Sequence, residues 1–95
     1  MAKKITKAEK EDIKEIGKSA SSLIESLLNK KPEGVISVTK EGKEWKVAVE
    51  VLERKAVPDT QDILGKYELR LDENENILGY KRIALRRRAE LGEEE

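Results

Sequence analysis

Residues 45–51 read WKVAVEV. Trp45, Val47, Val49 and Val51 alternate with Lys46, Ala48 and Glu50, the period of a strand with one buried face. The valines are β-branched and suit a pleated, half-buried surface. Upstream, Val35–Thr39 is rich in strand formers and Lys40-Glu41-Gly42-Lys43 is a turn, so the two segments read as a hairpin. Downstream, Tyr67, Leu69 and Leu71 alternate with Glu68 and Arg70. Asp72-Glu73-Asn74-Glu75-Asn76 is a second turn, and Ile77 to about Arg86 is the return strand. In that strand Leu78 and Tyr80 are out of phase with Ile83 and Leu85. A bulge near Gly79 would bring both pairs to one face.

A sheet with an apolar face needs a cover, and the N-terminal third supplies one. Ile13, Ile16, Ala20, Leu23 and Leu27 recur at alternating spacings of three and four, with Ile24 and Leu28 widening the stripe. This is an amphipathic helix, roughly Thr6 to Asn29. Thr6 and Glu9 are spaced as in a capping box, and Asn29 and Pro32 end the helix. Gly17 and the serines at 19, 21 and 22 weaken its middle, where either a kink or a frayed first half is expected. The stripe has two readings, packing on the sheet and docking on another protein; packing is the simpler. The expected fold is therefore α+β: one helix across a four-stranded antiparallel sheet, in the order helix, hairpin, connector, hairpin. Residues 6–88 form the domain, residues 1–5 a flexible N-terminal tail, and residues 89–95 an acidic C-terminal tail.

The connector, Arg54 to Gly65, is longer than the ~2–5 residues that a plain hairpin needs. Pro58 cannot donate to a ladder, so the strand ends before it. Asp59 or Thr60 is placed to cap one helical turn running through Ile63 and Leu64, with Gly65 closing it at positive φ. Either this rigid acidic corner, with Asp59 and Asp62, belongs to a recognition surface, or it only crosses an edge to place the second hairpin.

Composition limits the chemistry. Of 95 residues, 37% are hydrophobic and 42% charged, a thin core under a charged coat. Twenty basic and twenty acidic residues cancel, so the total charge gives no pull toward nucleic acid or anionic membrane. With neither cysteine nor histidine, disulfides, thiolate metal sites and the commonest general base are ruled out. No apolar run approaches the ~20 residues of a membrane span, and no signal-peptide core is seen, so a cytoplasmic location is expected.

Several short motifs fail on inspection. Asp72, Asn74 and Asn76 open like a calcium loop, but Ile77 and Ile83 stand where it requires glycine and glutamate. Gly65-Lys66 lacks the rest of a phosphate loop. Lys18 and Ser19 are helix neighbours that do not face each other. Glu50 and Glu53, three apart on a strand, face opposite sides unless a bulge intervenes. No cofactor is implied and no enzymatic constellation emerges. The basic run Tyr80–Arg88, YKRIALRRR, carries five positive charges and no negative one. It reads as edge protection, protein contact or a nucleic-acid patch. With only Trp45, Tyr67 and Tyr80 as aromatics, a base-stacking platform is poorly supplied.

In order, W-K-V-A-V-E-V-L-E, V-P-D-T-x-D-I-L-x-x-Y-E-L-x-L-D and L-x-G-Y-K-R resemble the gas vesicle protein O family (GvpO), over about Trp45 to Arg88. The family's strand motif falls on Trp45 to Glu50, with an acid at Glu53. Its connector falls on Pro58, Asp59, Thr60 and Asp62, and Tyr67-Glu68 follow. Its last strand falls on Gly79, Tyr80, Arg82 and Arg88. Leu85-Arg86 stand where Arg-Tyr is usual, and Glu75-Asn76 where the family turn is Asp-Gly-like. The resemblance implies an accessory role in building gas vesicles, exercised through contacts with other gas vesicle proteins, shell or accessory, and with no catalytic residues. A shell protein needs a continuous apolar face toward gas, which a chain this charged does not easily supply.

Two functional expectations follow: a non-enzymatic assembly factor associated with gas vesicles, and, as the alternative, a nucleic-acid-binding regulator using residues 81–88. The candidate contact residues are Pro58, Asp59, Thr60 and Asp62 in the connector, with Tyr80, Arg82, Arg86 and Arg88 in the final strand.

Overall fold

The computed structural model describes residues 7–89, with side chains from Asp12 onward. The expected N-terminal tail at residues 1–5, the expected C-terminal tail at 89–95 apart from Ala89, and the side-chain cap of Thr6 and Glu9 lie outside the described residues. Helix α1 (Lys7–Leu28) is followed by β1 (Pro32–Glu41), β2 (Glu44–Arg54), a single 3-10 turn (Asp59–Gln61), β3 (Ile63–Leu71) and β4 (Ile77–Arg87). The strands form one antiparallel meander in the order β1-β2-β3-β4. The expected α+β architecture is the observed one.

The order puts the most apolar strands in the middle. Trp45, Val47, Val49 and Val51 of β2 stand opposite Leu71, Leu69, Tyr67 and Gly65 of β3. Against this face α1 lays Ile16, Ala20 and Ile24, all buried. Ile13, Leu23, Leu28, Val38 and Ile77 rim the core. The helix sits over β1 and β2. Leu27, assigned to the stripe by spacing, remains 45% exposed at the helix's last turn. Asn29 then adopts a left-handed φ of 56° and donates its N–H to the Glu25 carbonyl at 2.8 Å, which ends the helix.

α1 continues as helix through Gly17, which is buried under β1. Gly42, at φ 63°, occupies the first position of the two-residue β1–β2 turn, where glycine is favoured. Gly65 behaves otherwise than expected. It lies inside β3, opposite Val51, and a Cβ there would come within 2.3 Å of the Glu53 carboxylate. Its role is close approach, not a left-handed stop.

Bulges shape both outer strands. In β4 the register shifts at Leu78, beside Gly79 as expected, and again at Ile83. The two shifts leave Tyr80 opposite Leu69 and Leu85 opposite Gly65. In β1 the shifts fall at Glu33 and Ile36. A further one places Glu53 as the extra residue near the end of β2.

Candidate partner-binding surface

The connector is a braced corner. Its 3-10 turn spans only Asp59–Gln61 and follows an extended Pro58 with no side-chain cap. The longer capped turn expected through Ile63 and Leu64 does not form, because both residues already pair in β3, opposite Arg54 and Leu52. Pro58, Asp59 and Thr60 are exposed. Asp62 is 2% exposed, and its carboxylate is engaged on both oxygens. Oδ1 accepts the Ala56 N–H at 2.7 Å, and Oδ2 accepts Arg88 Nη2 at 3.2 Å and Nε at 3.3 Å. The Ala56 N–H is the chief cause holding the Asp62 carboxyl below its ordinary range, against the cost of burial and with the help of Arg88. Arg88 also reaches Glu33 at 3.2 Å, tying the corner to the start of β1. Two backbone bonds complete the brace, from Arg88 N–H to the Asp62 carbonyl at 2.8 Å and from Ala89 N–H to the Thr60 carbonyl at 2.9 Å. Asp59 and Asp62 thus differ in kind: the first faces solvent and the second holds the corner.

A second network sits beside the helix end. The Tyr67 hydroxyl donates to Glu53 Oε2 at 2.6 Å, Lys30 Nζ lies 3.2 Å from Oε1, and Arg82 Nη1 lies 3.6 Å from Oε2. Gly65 leaves the space that Glu53 fills. Burial pushes the Glu53 carboxyl up, but the Tyr67 hydrogen bond and the two cations together hold it below its usual value. Burial and the adjacent carboxylate push the Tyr67 phenol up, which keeps it a donor. Glu50, out of phase with these residues along β2, pairs instead with Arg86 at 2.7 and 3.0 Å. The bulge does not bring the two glutamates together as an acid–base pair.

The basic run therefore changes meaning. Arg82, Arg86 and Arg88 each hold a carboxylate of the protein itself. What β4 presents outward is largely apolar: Leu78, Tyr80, Ile83 and Leu85 are each about half exposed, at 44–51%. β4 is also an edge strand, with one side of its backbone ladder unpaired. The candidate residues fall in two neighbouring groups. Pro58, Asp59, Thr60, Asp62 and Arg88 build the corner, while Tyr80, Arg82 and Arg86 lie along the adjoining edge. Sequence spacing did not assign Glu50 or Glu33 to any arginine, nor Glu53 to Tyr67. The one available signal was a glycine two residues before a strand tyrosine, opposite an acid-bearing strand.

In the β3–β4 turn, the Asp72 carboxylate accepts the N–H groups of Asn74 and Asn76 at 2.8 and 2.9 Å. Its oxygens organise the turn. No described helix is long and apolar enough to cross a membrane.

The family model described as gas vesicle synthesis protein GvpO matches residues 1–92. Gas vesicle protein O1 of Halobacterium salinarum is 41% identical over 75 residues, covering 79% of this chain and 63% of its own length. Gas vesicle protein O of Haloferax mediterranei is also 41% identical, over 76 residues, with 79% of this chain and 54% of its own length covered. Gas vesicle protein O of a Streptomyces strain is 35% identical over 66 residues, covering 70% of this chain and 52% of its own. The chain thus spans between half and two thirds of the length of these relatives. No solved structure matches.

Proposed function

The chain belongs to the gas vesicle synthesis protein GvpO family, and from that premise we propose that it is a non-enzymatic accessory factor that binds other gas vesicle proteins during assembly. The observation that carries this reading is the apolar outer edge of β4, Leu78, Tyr80, Ile83 and Leu85, lying beside the braced acidic corner of Pro58, Asp59 and Thr60. An unpaired strand edge with apolar side chains offers both backbone hydrogen bonds and desolvation to a partner. Asp62 and Arg88 contribute by holding the corner in place. Arg82 and Arg86 contribute by rimming the edge with neutralised charge.

The same ion pairs weigh against nucleic acid as the partner. Phosphate binding needs cations that release counterions on contact. Three of the five cations in the basic run are already matched by Glu53, Glu50, Glu33 and Asp62. Association with the vesicle during its construction follows from the partner assigned.

The test is capture of gas vesicle proteins by the tagged chain from cells that make the whole set. Capture should persist at high salt and after nuclease treatment. It should weaken in Tyr80→Ser and in Asp59→Ala combined with Thr60→Ala, with melting unchanged. Loss of all capture on nuclease treatment would move the protein to the nucleic-acid reading.

A further inference from the structure

A groove runs between α1 and the other edge strand, β1. It encloses about 500 Å3. Its floor is apolar, made by Ile13, Gly17, Val35 and Val38. Lys14 and Lys18, one turn apart on the helix, stand on one rim, and both are exposed. Neither lysine makes an ion pair with a described residue. β1 itself is an edge strand, so its outer backbone groups are unpaired. Val35 and Ile36 on it are 42% and 47% exposed. Gly17 gives the groove its depth, since the nearest side-chain atoms of Val35 and Val38 lie 3.7–3.8 Å from where a Cβ would be.

From these features we propose that the α1–β1 groove is a second docking site, for an extended segment of a partner protein that alternates apolar and acidic residues. The apolar side chains of such a segment fill the floor over Val35 and Val38. Its carboxylates meet Lys14 and Lys18, the charge that this rim lacks. An acidic occupant is favoured over a basic or neutral one because the acid of the β1 side, Glu33, is already held by Arg88 at 3.2 Å. Among the charged residues that line the groove, the two lysines are those left unmatched. The site rests on the reading of the chain as a protein-binding factor; the residues that would touch the segment are none of those assigned to the β4 edge or the corner, although Arg88 of the corner holds Glu33 on the groove's rim.

The test uses the full chain and a fluorescent ten-residue peptide of alternating leucine and glutamate, with a leucine–lysine peptide of the same length as control. The acidic peptide should bind, shifting the NMR signals of Ile13, Val35 and Val38, while the basic one should not. Lys14→Glu with Lys18→Glu should weaken the acidic peptide roughly tenfold at low salt and confer binding of the basic peptide. Gly17→Met, filling the floor, should abolish both. Because Gly17→Met can also unsettle the helix, its melting curve is compared with that of the lysine pair, whose exposed positions leave the fold unchanged. Equal binding of both peptides by wild type, or indifference to the lysine reversal, would overturn the proposal. So would shifts of the groove signals that follow protein concentration without peptide, which would assign the groove to a second copy. Capture lost only with Tyr80→Ser, and unaffected by Lys14→Glu with Lys18→Glu, would leave the β4 reading standing and this one refuted.

Discussion

Glu53 shows how a single side chain acquires a role that its neighbours in sequence do not announce. It is the bulged residue of β2, so it falls out of the alternation that organises Trp45 to Val51. The bulge turns it over Gly65 and against the Tyr67 hydroxyl. Two substitutions probe the arrangement from opposite sides. Tyr67→Phe removes the hydroxyl's hydrogen bond to Glu53 and should cost about 1–2 kcal/mol in chemical denaturation. Gly65→Ala leaves every partner in place but drives a methyl into the carboxylate, and should cost at least as much, about 2 kcal/mol, through displacement of Glu53. The acid limb of stability follows from the same residues. The folded-state pKa values of Glu53 and Asp62 both lie below their ordinary values of 4.5 and 3.8. A carboxyl lowered on folding contributes fully above its unfolded value and loses that contribution as pH falls through the folded one. Melting temperature should therefore be level above about pH 5 and fall steeply below about pH 4, with a shallower fall in Glu53→Gln. At the alkaline end the sign reverses. Tyr67, raised above 10.0, contributes below that value and ceases to do so as it ionises beside Glu53.

At the scale of elements, strand periodicity carried most of the fold. The alternation in Trp45–Val51 and Tyr67–Leu71 identified the two central strands because each buries one face against the helix, so its pattern is unbroken. The connector was legible as an irregular segment and not as a conformation. A buried carboxylate, Asp62, and a basic residue 26 positions later fix its path, and no local propensity reports a partner that distant. β4 was the hardest strand to phase, since two bulges interrupt its alternation and its apolar residues stay about half exposed. On the proposed reading, that exposure separates partner binding from stability. Ile83→Lys should change stability by less than about 0.5 kcal/mol, as surface substitutions do, while lowering capture of gas vesicle partners. Gly17→Ala works the other way. The added methyl meets Val35 and Val38 at ordinary contact distance, and alanine is the better helix former by about 1 kcal/mol, so thermal melting should show a gain of roughly 0.5–1 kcal/mol.

For the whole molecule, the governing feature is the way equal numbers of opposite charges are distributed. Forty charged side chains on 95 residues sum to zero, yet the sequence gathers five cations without an anion between Tyr80 and Arg88. The fold undoes that segregation. It brings Glu33, Glu50, Glu53 and Asp62, scattered over three earlier segments, to Arg82, Arg86 and Arg88. A linear basic run thus becomes a rim of ion pairs beside an apolar edge, and salt sensitivity distinguishes the two descriptions. If all five cations engaged phosphates, the logarithm of the binding constant would fall with the logarithm of salt at a slope near −4.5, about four and a half orders of magnitude for a tenfold rise. An interface of apolar side chains and strand hydrogen bonds lacks that counterion term. Measured against a purified gas vesicle partner by titration from about 0.05 to 0.5 M salt, the slope should be shallower than −1, the value about one released counterion would give. A slope near −4.5 on a nucleic acid, with none of the gas vesicle proteins retained, would mean that the arginines leave their carboxylates on binding and that the β4 edge is not the contact.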